Sequence, residues 1–358
     1  MKRTLLLITT IFATIGMAAN ALAQEFAPTQ DEESHHTDAD IGYMPSRLSA
    51  HASLLYLKPG AGNLEYGVLV NPLPAPSPHW QFQDVDPQYG PAFDVGLQLL
   101  VGDTGNDVCV NWTHLNTTDE HSFFGDPTQF VGPIYEIGPD ASAFKLGRGR
   151  VHFEYDAVNL DAGVHLTSGG PAEVRLFGGL QYACISQNLA SNFQSYDGLS
   201  ANGNTIDSLF NGVGPRAGMQ AQFFHGDFDF LGQFAGAALI GTMQSRLDFT
   251  AISPNQGGNN VVAPNPQSLT SPNMTQIVPA METRIGGGYS FGGRDCGRFR
   301  IEAGYQAAVY FNAINHYNVS DVVVPSNVQG VGVFLRTAEH LQSNFTAHGP
   351  YLSATWTF

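Results

Sequence analysis

The sequence predicts an all-β protein, a transmembrane antiparallel up-and-down β-barrel of about ten strands, on three observations. The chain ends on GPYLSATWTF, where Phe358, Trp356, Ala354 and Leu352 share one face and Thr357, Thr355, Ser353 and Tyr351 share the other. It begins with a secretory pattern: Lys2 and Arg3 precede an apolar run from Leu5 to Ala19 and a small-residue cleavage signal at Ala21-Leu22-Ala23. Between these ends, short connections rich in Gly and Asp alternate with long polar ones.

Composition supports a barrel over a helical membrane protein. The chain holds 40 Gly, 24 Phe and 13 Tyr, and its mean hydropathy is −0.09, the average that half-apolar strands produce. The N-terminal run is short for a spanning helix of about 20 residues, and no other stretch is apolar for longer. A closed barrel is the remaining way to satisfy every backbone polar group in lipid. The formal net charge of −16 opposes nucleic-acid binding and, inside a pore, would favour cations.

Three regions follow: a signal peptide over 1–23, a flexible acidic periplasmic leader over 24–46, and an outer-membrane barrel over 47–358. His35 and His36 in the leader read as part of a solvated tail, since two adjacent histidines do not close a metal site. Cys109, Cys184 and Cys296 form no C-x-x-C pair, and three thiols permit at most one internal bridge. They read as small buried or lipid-facing thiols, or as a disulfide within or between chains. No cofactor or metal motif is present.

The short turns are 102–107, 167–172, 225–227 and 292–297, rich in the residues that tolerate hairpin backbone angles. The long connections are 59–91, 118–149, 191–210, 244–276 and 317–345, with 251–273 the clearest loop. Ten strands remain: 47–58, 92–101, 107–117, 150–166, 173–190, 211–224, 228–243, 277–291, 298–316 and 346–358. A twelve-strand version would add Leu64 to Val70 and Val331 to Leu335 to the wall. An even count puts both chain ends beside the short turns, hence on the periplasmic side.

Alternation assigns the faces, because successive side chains of a strand point to opposite sides. Phe299, Ile301, Ala303, Tyr305, Ala307, Val309 and Phe311 make a lipid-facing row, against Arg300, Glu302, Gly304, Gln306 and Asn312. Phe93, Val95, Leu97 and Leu99 oppose Asp94, Gly96 and Gln98 in the same way. The fourth strand slips: Phe153, Tyr155 and Ala157 share one parity, Val158, Leu160 and Val164 the other, which predicts a β-bulge near Ala157. Several strands are also long for a soluble sandwich, whose strands run about 5–6 residues.

The blocks YGPAFDVGLQLL, DVCVNWTHLNT, FEYDAVNLDAGVHL, EVRLFGGLQYACI and NGVGPRAGMQAQFF, with the closing ATWTF, resemble the Legionella major outer membrane protein family over most of 47–358. The resemblance implies a porin-like surface barrel. The aromatic C-terminal strand likewise resembles the last strand of bacterial outer-membrane barrels, so Phe358 and Trp356 are candidate signals for the barrel-assembly machinery. The first, Pro-rich loop and the acidic leader match no part of the family pattern.

Candidate lumen-lining charges are Asp94, Glu154, Asp156, Asp161, Arg175, Arg216, Glu282, Arg284, Arg300 and Glu302. They read either as an ion path or as a paired network filling a narrow interior, for barrels near eight strands have only enough room for side chains. Three functions follow: passive diffusion of small hydrophilic solutes or cations, a closed barrel displaying long loops, and a rim protease using His114, Asp119, Glu120 and His121. The first is the leading expectation, and no catalytic motif supports an enzyme. Expected partners are outer-membrane lipid, lipopolysaccharide and the assembly machinery, with self-association left open. Deleting Phe358 is predicted to lower surface levels sharply, as read by surface labelling; normal levels would refute its role in assembly.

Overall fold

The computed structural model describes residues 48–71, 79–101, 105–126, 129–134, 144–166, 171–196, 198, 200–254, 260–262, 267–291, 298–325 and 331–358. The predicted signal peptide and leader, with His35 and His36, the tips of three short turns, and Cys296 lie outside them. Ten strands form the wall: Leu48–Ala61 (β1), Gly90–Val101 (β2), Asn106–Phe124 (β3), Phe144–His165 (β4), Ala172–Ser195 (β5), Ala201–His225 (β6), Phe228–Pro254 (β7), Met274–Phe291 (β8), Arg298–Pro325 (β9) and Val331–Thr357 (β10). Each pairs antiparallel with its chain neighbours, and β1 pairs with β10, so the ring closes. At this seam the Phe358 N–H donates to the Leu48 carbonyl at 2.9 Å.

The twelve-strand alternative falls away. Val331–Leu335 is the start of β10, and Glu65–Asn71 is not a strand of the ring but pairs in a ribbon with His79–Asp84 and Phe130–Pro133. Stepping through direct partners around the ring from Thr275 on β8, by way of Asp156 on β4 and Leu54 on β1, returns to β8 at Gly287, twelve residues away. A stagger of that size over ten strands tilts them by about 40° and sets a radius of about 10 Å, given a rise near 3.3 Å and a strand spacing near 4.8 Å.

Faces explain both the strand lengths and the slipped fourth strand. Toward the short turns the apolar residues point outward: Leu160 and Val164 on β4, Leu176 and Leu180 on β5, and Val213, Met219 and Phe223 on β6 are all exposed. Toward the other end they point inward: Phe153 and Tyr155 on β4, Ile185, Leu189 and Phe193 on β5, and Ile206 and Phe210 on β6 are all buried. Register runs unbroken through Ala157, so the predicted bulge is absent. What changes there is the solvent outside the wall, from lipid to water.

On β10 the outward band from Phe358 to His348 covers about 25 Å of height at that tilt, matching the apolar band of such barrels. An aromatic girdle marks its lower edge, with Phe228 against Tyr289, Phe291 against Phe299, and Trp356 against Phe358. Above the band the wall continues with polar residues outside. The segment 191–210, predicted as a loop, is therefore strand over 191–195 and 201–210. Asn192 and Gln194 are exposed outside, while Phe193, Ile206 and Phe210 share the interior with the buried Ser191, Asn202, Asn204 and Ser208.

Two segments fold inward at the far end. Beyond Tyr310, β9 parts from β8, shifts register against β10 and turns through Asn312 at φ 58°. Ala313, Ile314, Tyr317 and Val319 are buried there, and the Asn315 N–H donates to Ser208 Oγ on β6 at 2.9 Å. The segment after β1 folds in as well: the Asn63 and Gln187 amides bond reciprocally at 3.1 Å, and Tyr66 is fully buried. Burial pushes the Tyr66 phenol up to about 12.

Gly149 on β4 leaves the space that the Tyr66 ring fills, since a Cβ there would lie 2.5 Å from it. Gly149→Ala should displace this segment at a cost of about 1–3 kcal/mol and speed proteolysis between 62 and 89. Unchanged cleavage would show that the segment is held elsewhere.

Candidate functional site

The lumen is the candidate site, and it has two storeys. In the half nearer the short turns, inward positions carry four arginines, Arg175, Arg216, Arg284 and Arg300, among seven carboxylates of the described residues: Asp94, Asp107, Asp161, Glu173, Asp229, Glu282 and Glu302. Arg216 reaches Asp161 and Glu282, each at 2.6 Å. Arg175 Nε meets Asp107 at 2.9 Å, and Arg300 bridges Asp229 and Glu302. Arg284 bonds Glu302 at 3.2 Å and lies 3.9 Å over the Tyr351 ring. Asp94 accepts bonds from Asn111 and Thr113 and pairs with His51 at 3.0 Å.

Every arginine thus has a carboxylate partner. Such pairing is what a low-dielectric interior requires, where an unpaired charge is costly. Glycines make the room: a Cβ at Gly163 would lie 2.3 Å from Asp107 and 2.5 Å from Arg175, and one at Gly288 would lie 2.7 Å from both Arg300 and Asp229. A cavity of about 140 Å³ remains, lined by His51, Asp94, Arg216, Glu282, Arg284 and Gln306 among others.

Over this storey lies an aromatic floor. Tyr155 on β4 and Tyr310 on β9 come from strands five places apart in a ring of ten, so they meet across its diameter, with their hydroxyls 2.9 Å apart. Tyr310 donates to Glu282 at 3.2 Å and accepts from Gln181 at 3.1 Å, which leaves Tyr155 as the donor between the two phenols. Phe345 packs against both rings, at centroid distances of 5.3 and 6.2 Å, and Phe153 joins it at 5.8 Å. Apolar packing and the two inward-folded segments fill the space above.

Eight of the ten predicted lumen charges line the interior. Glu154 and Asp156 do not: they share the outward parity of β4 just above the lipid band, where the reversal of faces puts polar residues outside. Asp156 accepts from the Trp112 indole at 2.9 Å and pairs with His114 at 2.8 Å, an arrangement suited to a membrane interface. The proposed rim residues are dispersed. His114 serves Asp156, Glu120 pairs with Arg150 at 3.4 Å, His121 bonds the Tyr66 hydroxyl at 2.9 Å, and Asp119 has the opposite parity to Glu120.

Sequence reasoning missed Asp107, Glu173 and Asp229, which sit at the turn-side ends of their strands, although their parity would have placed them inside. It also missed Tyr155 and Tyr310, because nothing along one strand announces a partner across the barrel. Cys109 faces inward and Cys184 outward, and both are free.

A family model described as the Legionella pneumophila major outer membrane protein precursor matches residues 43–358. No curated protein matches. Among solved structures, the outer membrane protease OmpT from Escherichia coli is similar at 10% identity and a TM-score of 0.43, over 89% of this chain and 99% of that one. AlkL, solved in lipid bilayers, gives 13% and 0.27 over 74% and 98%, and a Pseudomonas aeruginosa FadL homologue gives 7% and 0.22 over 87% and 90%. Likenesses this weak carry no inference about activity.

Replacing Arg216 with Met would strand Asp161 and Glu282 and should cost about 3–5 kcal/mol, with Arg216→Lys milder. Urea unfolding in detergent micelles measures the difference; equal stability of wild type and Arg216→Met would remove the network's structural role.

Proposed function

The chain belongs to the Legionella pneumophila major outer membrane protein family, and from that premise we propose that it is a structural, surface-presenting barrel of the outer membrane whose lumen is closed at rest. The observation that carries this reading is the aromatic floor. Tyr155, Tyr310 and Phe345, none more than 3% exposed, meet across the full width of the ring above the charged storey. Water-filled barrels of this kind are wider, with about 16–18 strands in porins. The short turns and both termini of the barrel face the periplasm, and the extended end stands above the outer leaflet. Outer-membrane lipid and lipopolysaccharide surround the apolar band, and the assembly machinery takes up the Trp356–Phe358 strand.

Passive diffusion of cations is the second reading, and one observation favours it. The seven carboxylates of the charged storey outnumber its four arginines, so any ion that entered would meet a negative field. No convergence of His114, Asp119, Glu120 and His121 supports the enzyme reading.

Planar-bilayer recording separates the two. The wild type is expected to be silent, and the triple variant Tyr155→Ala, Tyr310→Ala, Phe345→Ala to show cation-selective conductance. Steady conductance of the folded wild type would overturn the closed reading in favour of diffusion.

A further inference from the structure

Most exposed large apolar side chains of the wall lie in the lipid band, where they need no protein partner. Trp80 and Phe82 stand at the opposite end, 63% and 60% exposed. They belong to His79–Asp84, the terminal strand of the side ribbon. One of its edges pairs with Glu65–Asn71; the other pairs with nothing among the described residues. A free edge of this kind offers a row of backbone donors and acceptors to an added strand, and its alternate side chains supply pockets or anchors.

The ribbon is also charged in an unusual way. Glu65 and Asp84 are direct cross-strand partners and both are exposed, an arrangement that is repulsive in itself. The nearby Lys58 is engaged with Asp86 at 2.7 Å, and no described cation pairs with Glu65 or Asp84. A cationic partner would relieve the repulsion.

We propose that the His79–Asp84 edge binds an extended, basic polypeptide segment by strand addition, with apolar side chains of the segment on Trp80 and Phe82 and a Lys or Arg between Glu65 and Asp84. Charge selects this occupant over two others. The chain's own 24–46 segment carries six carboxylates and no Lys or Arg. A second copy, in a protein of net charge −16, would bring two such carboxylate pairs together. The inference rests on the surface-presenting reading only for the side from which the partner arrives; binding is read independently of conductance, so either can fail alone.

The test uses the full-length protein folded in lipid nanodiscs and a labelled peptide that carries valine, valine and lysine at successive alternate positions with threonine between them, so that all three share one face, followed by fluorescence anisotropy. Saturable binding that weakens with added salt is expected, tenfold or more weaker for Trp80→Ala and for the pair Glu65→Gln, Asp84→Asn. Two further peptides carry N-methyl groups on one or the other alternate set of residues. One of them should lose binding, because only one set turns its N–H groups to the edge.

Absence of saturable binding, equal binding of both methylated peptides, or indifference to Trp80→Ala would each overturn the proposal. So would a concentration-dependent dimer abolished by Trp80→Ala, which would make a second copy the occupant. Heat-modifiable migration of each variant on gels confirms that the barrel itself has folded.

Discussion

One constraint organises this molecule: the medium outside the wall changes from lipid to water part of the way up a continuous strand. Apolar residues must face outward below that height and inward above it, because burial of apolar surface is favourable in either setting while an exposed polar group is tolerated only in water. Backbone geometry does not change at the crossing, as unbroken pairing through Ala157 shows. Only the parity of the apolar set changes. The lower half is therefore polar inside and the upper half has an interior like that of a soluble protein, built on one set of strands.

The lower interior then has to dispose of many polar groups in a narrow space. A radius of about 10 Å leaves little room once ten rows of side chains enter, and the solution is close pairing. Arg216 touching two acids and Arg300 bridging two more satisfy charges that would otherwise be stranded. Such pairs add little net stability compared with apolar packing, but breaking one is expensive. The network fixes which side chain stands where, and glycines such as Gly163 and Gly288 are the spaces it needs.

Much of the fold could be read from the sequence because a barrel wall is written in alternation and turn chemistry, both local. The ten strands, the short turns and the rows on β2 and β9 were legible for that reason. The upper wall was not. At 191–210 the polar residues that suggested a loop belong to strands: Asn192 and Gln194 stand outside, whereas Ser191, Asn202, Asn204 and Ser208 are buried inside beside Phe193, Ile206 and Phe210. The reversal of faces misplaced Glu154 and Asp156, and it made β4 look bulged. The folded-in ribbon and the Tyr155–Tyr310 contact were beyond reach, since they depend on ring closure and not on any single strand.

Ring closure also imposes an order in time. Tyr155 lies in the fourth strand while its partner Tyr310 and the packing residue Phe345 lie in the last two. During assembly the aromatic floor cannot exist until those final strands arrive, so a partly inserted barrel must pass through a stage in which its charged storey is still open to solvent from above. The last strands therefore finish two structures in one event, the seam in the wall and the ceiling over the lumen.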